Sequence, residues 1–204
     1  MKIFVYLFLL LIPSANFAFK KNEMAYSIVI SKADLIVDGT ISKVFENKYE
    51  FAITQFIKGK SPLRINVVIW KEWMCDSRVH ELQKGQRLLL FLENKPNNEY
   101  YPINESTGEL FIEKDSSVSP SMYMIEKFPN ASVIKEGISM FLKTYTFHSR
   151  LDNRYYLDAY FQSNKSTFEI YEMKQKNKFF KFLIDSELQY YKVKETSFIN
   201  IRLE

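Results

Sequence analysis

The residues best suited to chemistry lie close together in one short segment, Ile69–Leu92. This segment contains both tryptophans of the chain, Trp70 and Trp73, its single cysteine, Cys75, and one of its two histidines, His80. A thiol near an imidazole can form a nucleophile–base pair or part of a metal site. Two indole rings can stack on a flat ligand. The segment therefore either does chemistry or holds a loop against the rest of the fold.

Metal binding and thiol catalysis are disfavoured by the residues available. Zinc takes four protein ligands, or three and a water, whereas Cys75 and His80 supply two and His148 is the only other histidine. On a helix, positions five apart do not face each other well, and no nucleophile signature surrounds Cys75. The sequence also has no phosphate-binding glycine loop, G-x-S-x-G elbow or H-E-x-x-H motif. We predict no catalytic residue, no cofactor, no metal and no enzymatic activity.

The aromatic residues leave two interpretations open. Trp70 and Trp73, with Tyr100 and Tyr101, are a candidate interaction surface for a protein or glycan, because small barrels bind ligands on their strand faces and loops. Alternatively, the tryptophans close one end of a barrel, and Cys75 lies in the loop that they anchor. We favour the second interpretation. Cys75 is then a half-buried, small apolar residue, and its alternative role is that of a free reactive thiol.

The N-terminus has the pattern of a secretory signal peptide. Lys2 precedes the unbroken apolar run Ile3–Ile12, and small residues follow up to Ala18. The run is about half the length of a membrane-spanning helix. We expect cleavage after Ala18, which leaves a mature chain without a transmembrane segment. One cysteine cannot form an internal disulfide, so the pattern favours a bacterial periplasmic or extracellular protein.

The charge balance argues against nucleic acid as a partner. The chain has 28 basic and 24 acidic residues in an interspersed pattern, whereas nucleic-acid-binding proteins concentrate positive charge on one face. Lys174, Lys176 and Lys178 alternate along the chain, and we expect them on the solvent face of a strand, where lysines protect an edge from aggregation. Attraction to an anionic lipid or polysaccharide is the alternative.

Short strands must position the candidate residues. A helical stripe with Asn22 as N-cap predicts a first helix before Leu35. Strand-length apolar segments, most of them alternating and bounded by turn residues, then predict strands in five segments, 34–46, 48–62, 63–70, 86–94 and 99–113. The fourth segment is apolar throughout, which indicates burial on both faces. Gly39 suggests a bulge that lets the first strand pair on both sides, so we predict a five-stranded OB-like barrel.

The last third of the chain is built differently. From Asn130, apolar residues at helical spacing predict a second helix, in which Gly137 allows close approach to the barrel. Alternating polar and aromatic residues then predict a C-terminal antiparallel β-meander, although 153–162 is also compatible with a helix. The fold is thus expected to be mainly β. Its expected parts are a signal peptide (1–18), an OB-like barrel domain (19–113), a connection (114–130), and a helix with a β-rich extension (131–204).

Residues 33–92 resemble secreted domains of the netrin-module and tissue-inhibitor-of-metalloproteinase type. The resemblance rests on ADLIVDGTIS, FIKG, the cysteine at position 75 and LQKGQRLLLFL, and it extends over residues 25–113. It implies a secreted OB-fold domain. Eukaryotic members carry several disulfides, and the metalloproteinase inhibitors ligate zinc through an N-terminal cysteine. The mature chain here would begin at Phe19, so that inhibitory mechanism does not carry over.

Together these patterns predict an exported, non-catalytic binding or interaction protein. The first alternative is a protease inhibitor that acts through a barrel-end loop. The second is an enzyme whose site has no recognisable linear motif.

Overall fold

The computed structural model describes residues 24–96, 99–119, 130–152, 155–190 and 192–195. The predicted signal peptide and part of the predicted connection lie outside these residues. The prediction that Asn22 caps the first helix is wrong, because the helix begins at Tyr26 with Ala25 at its N-cap. In the part of the chain that is described, no helix is long and apolar enough to cross a membrane.

The described elements confirm a mainly β protein. The α-helices are α1 (Tyr26–Lys32), α2 (Ala131–Thr144), α3 (Thr167–Lys176) and α4 (Lys178–Phe182). The strands are β1 (Leu35–Val44), β2 (Lys48–Lys58), β3 (Arg64–Val68), β4 (Arg87–Lys95), β5 (Glu99–Pro102), β6 (Glu109–Ile112), β7 (Val118–Ser119), β8 (Tyr145–Asp152), β9 (Tyr155–Ser163) and β10 (Lys192–Glu195).

The first five strands close into a barrel in the order β1-β2-β3-β5-β4, and β4 pairs back onto β1. Neighbouring strands are antiparallel, except that β3 and β5 run parallel. The predicted five-stranded OB-like barrel is therefore confirmed. The last predicted strand, 99–113, is in fact two strands, because a 3₁₀ turn at Glu105–Gly108 interrupts it. The second of these, β6, pairs with the first half of β4 and carries β7 on its other side.

Two apolar cores share strand β4. Leu88, Leu90 and Leu92 point into the barrel. Leu89 and Phe91 point outward, into a second core that α1, α2 and α4 complete. The alternation of a strand sends successive side chains to opposite faces, so the apolar run of β4 is buried on both sides, as predicted.

Gly39 lies at a register shift between β1 and β2, which confirms the predicted irregularity. Its backbone, however, is not in the left-handed region that favours glycine. The constraint is steric: a Cβ at this position would lie 2.2 Å from the carbonyl oxygen of Ala52 and 2.8 Å from the ring of Phe51. Glycine therefore permits close approach of two strands.

Helix α2 begins as predicted, because the side chain of Asn130 accepts hydrogen bonds from the backbone N–H groups of Ser132 and Val133. The prediction that Gly137 lies close to the barrel is wrong. A Cβ on Gly137 would lie 2.7 Å from Oδ1 of Asn177 and 2.9 Å from the backbone nitrogen of Phe180. The close approach is therefore to helix α4, not to the barrel.

In place of a β-meander, the structure has one antiparallel hairpin, β8–β9, of which β9 matches the first predicted strand. In the segment 153–162, for which a helix was the alternative, the described residues 155–162 form most of β9. Beyond the hairpin the prediction is wrong, because the next segments are helices α3 and α4. The physical reason is a capping box at Ser166 and Glu169, which satisfies the first free N–H groups of α3. The last strand, β10, pairs parallel to β9.

The three lysines that were predicted on the solvent face of a strand lie in helices instead. Lys174 and Lys176 belong to helix α3, and Lys178 begins α4. Lys174 forms an ion pair with Asp185. These lysines therefore do not line a strand edge.

Candidate functional site

The loop that joins β3 to β4, residues 69–86, covers one end of the barrel. We call it the barrel-end loop. Beneath it lies Glu109, the first residue of β6, whose side chain is fully buried. Its Oε1 accepts a hydrogen bond from the Tyr49 hydroxyl at 3.0 Å. Its Oε2 accepts one from Trp70 Nε1 at 2.7 Å and one from Arg78 Nε at 2.9 Å.

Arg78 ties the two ends of the loop segment 70–78 together. Its guanidinium lies over the Trp70 ring, 3.9 Å from the ring centroid, and Nη2 donates to the Trp70 carbonyl at 3.1 Å. Nη1 donates to Glu72 at 3.0 Å. Since its side chain is only 5% exposed, the Arg78 charge depends on Glu109 and Glu72 for compensation.

Burial dominates the electrostatics of this network. Desolvation raises the pKa of Glu109, although the charge of Arg78 and the donated hydrogen bonds act in the opposite direction. Burial and the neighbouring Glu109 charge raise the pKa of Tyr49 well above its usual value. Tyr49 therefore stays protonated and serves as a donor. Both carboxylate oxygens of Glu109 are buried and accept hydrogen bonds from within the protein.

The middle of the segment is a tight turn from Trp73 to Asp76. The two residues exchange backbone hydrogen bonds at 3.0 and 2.9 Å. Trp73 Nε1 donates to Glu105 at 3.2 Å, and the Asp76 carboxylate accepts from the Ser106 hydroxyl. Both ends of the turn are thus attached to the 3₁₀ turn before β6. The outer residues are Met74, which is 93% exposed, and the half-buried Cys75.

The chain beneath this turn is strained. Asn104 and Glu105 have φ values of 53° and 59°, a left-handed region that non-glycine residues seldom occupy. Such strain concentrates at functional sites, where the surrounding structure enforces it. Here the Asn104 side chain accepts from the Met24 backbone at 3.1 Å, and Glu105 holds Trp73. The strained residues therefore help to fix the turn.

The four aromatic residues of the predicted interaction surface do not form one exposed face. Trp70 is only 8% exposed, and Tyr100 packs against the barrel core. Trp73 is half-buried, and Tyr101 lies at the surface on β5 with 36% exposure. The two tryptophans both anchor the barrel-end loop, so what the loop offers to a partner is the Met74–Cys75 turn.

Sequence reasoning missed Glu109, Arg78 and Asp76. One signal was available for Glu109: it is a lone carboxylate in the short segment GELFI, which otherwise reads as a buried strand. Buried charges need partners, so a carboxylate there predicts a donor nearby. The sequence does not identify that donor.

A second buried carboxylate lies between the barrel and helix α2. Asp38 on β1 accepts two hydrogen bonds from Arg87, from Nε at 2.9 Å and Nη2 at 2.7 Å, and one from Lys135 Nζ at 2.6 Å. Lys135 also donates to Gln55 at 2.8 Å. Burial raises the pKa of Asp38, but the bonds from Arg87 and Lys135 outweigh it and the net shift is downward. This cluster attaches α2 to the barrel.

Among the described residues, no group of three or more His, Cys, Asp or Glu side chains is arranged to hold a metal ion. No protein-family model matches the chain, and no curated protein is significantly similar to it in sequence.

Proposed function

We propose that this chain is an exported, non-catalytic binding protein that recognises a protein partner through the Met74–Cys75 turn. One observation carries the proposal. The turn projects an apolar side chain, 93% exposed at Met74, from a segment whose two ends meet at the same buried oxygen of Glu109.

A fixed loop is suited to binding because little conformational freedom remains to be lost on association. Methionine is enriched at interface cores, where its flexible thioether fills irregular gaps. A buried ion pair often stabilises a protein no more than apolar residues in its place would. The network beneath the loop is therefore not explained by folding stability alone. Its placement favours a role in holding the loop in position.

Export is the part of the proposal that rests on the N-terminal sequence. The apolar run Ile3–Ile12 after Lys2, with small residues up to Ala18, supports secretion. The resemblance of residues 25–113 to netrin-type secreted modules points the same way. Purification of the native protein followed by intact-mass measurement tests this: loss of the first 18 or so residues is expected, and a chain retaining Met1 would contradict it.

Protease inhibition is the second candidate function. The observation that favours it is the same pre-organised loop, because protease–inhibitor complexes form with little backbone movement. An enzymatic function has less support. The carboxylate beneath the barrel-end loop, Glu109, is fully buried with both oxygens bonded.

The single native thiol provides the test of partner binding. A photo-activated cross-linker is attached to Cys75, next to Met74, in the mature protein, which is then exposed to the extracytoplasmic proteins of its producing cell. We expect one discrete cross-linked product, and we expect Met74→Asp to abolish it, because a charge cannot enter an apolar partner pocket without a large desolvation cost.

The matched control moves the thiol to the other end of β3. In Cys75→Ser/Lys60→Cys the cross-linker sits on the exposed β2–β3 turn, and the product should be absent. Equal products from both positions, a product that Met74→Asp leaves intact, or no product specific to position 75 would each contradict the proposal. A parallel panel of secreted proteases identifies the inhibitor alternative, since inhibition would also be lost in Met74→Asp.

A further inference from the structure

The second half of the barrel-end loop borders a groove that the proposed function does not use. The groove has a volume of about 870 Å³ and lies between residues 79–87 and the segment 111–114. This volume is in the range of small-molecule sites, which are usually largely pre-formed. The apolar residues of its lining are Val79, Phe111 and Ile112. Phe111 and Ile112 are buried in the two cores, so the apolar surface open to the groove is that of Val79, which is 38% exposed.

Arg87 is the best-positioned polar group of the groove. Its Nε and Nη2 are taken by the buried Asp38, which fixes the plane of the guanidinium. Within the described part of the chain, no hydrogen bond engages the remaining nitrogen, Nη1, and the side chain is 39% exposed. A guanidinium held in this way presents its free edge without further loss of side-chain freedom.

Two lysines add positive charge to the same lining. Lys84 and Lys114 are exposed and border the groove, and neither forms an ion pair with another described residue. Of the two carboxylates in the lining, Glu113 is engaged by His80 at 3.0 Å and by the hydroxyl of Ser119. The other is Glu81, so three permanent cations face two carboxylates and the net charge is 3 − 2 = +1.

We propose that this groove binds a small organic anion. Its phosphate or carboxylate head would be held by Nη1 of Arg87 together with Lys84 and Lys114, because planar guanidinium groups bind such oxygens well. An apolar group on the same molecule would lie against Val79, the exposed apolar side chain of the lining. The proposal is independent of the Met74 turn.

The probe is phenyl phosphate, which combines both features, titrated into the full-length mature protein and followed by amide NMR shifts. We expect saturable shifts confined to residues 79–87 and 111–114. Inorganic phosphate should bind at least about tenfold more weakly, because it leaves the apolar surface uncovered, and phenol should show no saturation below about 10 mM.

Charge variants make the test specific. Lys84→Gln/Lys114→Gln should weaken the phenyl phosphate Kd by about tenfold or more, while the matched pair Lys60→Gln/Lys143→Gln, with the same charge change elsewhere, should leave it unchanged. Arg87→Lys keeps the charge but loses the free guanidinium edge, and should also weaken binding. Met74→Asp should have no effect, which separates this proposal from the proposed function. Absence of saturation by phenyl phosphate, or equal weakening in both double variants, would overturn the proposal.

Discussion

The guanidinium of Arg78 lies over the Trp70 ring, 3.9 Å from its centroid, while both side chains donate to Oε2 of Glu109. Stacking and hydrogen bonding thus act on the same pair of residues. A cation over an indole ring is attracted by the ring quadrupole, more strongly when water is excluded. Because the two residues lie eight positions apart, their contact closes the loop segment that carries Met74.

Replacing Glu109 by Gln should therefore destabilise the protein strongly. The glutamine amide has nearly the same shape, but it leaves the buried Arg78 without its main counter-charge. Its NH₂ group also replaces one acceptor oxygen, so an N–H donor faces a donor of the network. We expect a loss of about 3–5 kcal/mol in the free energy of unfolding, measured by urea titration. The control Glu81→Gln removes an exposed carboxylate and should change stability by less than about 0.5 kcal/mol.

The same network should show coupling between its members. In a double-mutant cycle, Arg78→Met/Glu109→Met should lose less stability than the sum of the two single variants, because only the single variants leave a buried charge unpaired. Additive losses would mean that the two side chains act separately.

The tryptophan and the cysteine of the loop should behave very differently. Trp70→Ala removes a buried ring and should cost about 3–5 kcal/mol, measured by chemical unfolding. Cys75→Ser changes a half-buried side chain with no disulfide partner, so stability should stay within about 0.5 kcal/mol of the wild type. An equal loss in both variants would mean that the thiol is part of the packed core.

The barrel could be predicted from the sequence because its signals are local. Alternating apolar residues predict strands β1 to β3, and the continuous apolar run of β4 predicts burial on both faces. The network could not be predicted, since the partners of Glu109 lie 31, 39 and 60 positions away in the chain. A lone carboxylate in a strand indicates that a partner exists, and only the folded barrel shows which one.

The C-terminal helices were missed for another physical reason. Aromatic residues separated by polar ones fit a strand with one wet face, and they also fit a helix that packs only in part. In the segment after β9 the deciding signal is the S-x-x-E pattern from Ser166 to Glu169, a capping box that favours a helix start. Side-chain alternation alone therefore predicts a strand in this segment, and the capping box is the signal that favours a helix.

The glycine of β1 provides a test of strand packing. Gly39→Ala should cost more than about 2 kcal/mol, because the new Cβ would lie 2.2 Å from the Ala52 carbonyl oxygen, a contact with rigid backbone. Gly85→Ala is the matched control. Gly85 has a φ of +90° but no heavy atom within 4 Å of the added Cβ, so its cost should be the conformational one, about 1 kcal/mol. Thermal melting of both variants checks this, and an equal shift would show that β1 and β2 can separate at little cost.

The Asp38 cluster predicts how stability depends on pH. The folded-state pKa of Asp38 lies below its ordinary value of 3.8, because the bonds from Arg87 and Lys135 outweigh the opposing effect of burial. A lowered pKa means that the folded protein binds the proton less readily than the unfolded chain. The stabilisation from ionised Asp38 is therefore fully present above about pH 4 and is lost as the pH falls through the folded pKa.

Asp38→Asn should consequently be less stable than the wild type by about 2 kcal/mol at pH 7, since one buried acceptor charge disappears while Arg87 and Lys135 remain. Below about pH 4 the difference should shrink, because the wild-type carboxyl becomes neutral as well. Urea unfolding of both proteins between pH 7 and about pH 2.5 measures the difference in their free energies of unfolding. All other titrating groups are present in both proteins, so their contributions cancel in this difference. Glu46→Gln, which removes an exposed carboxylate on the β1–β2 turn, should show no such convergence. A difference between Asp38→Asn and wild type that stays constant over the whole pH range would mean that the shape of the Asp38 side chain, rather than its charge, holds α2 to the barrel.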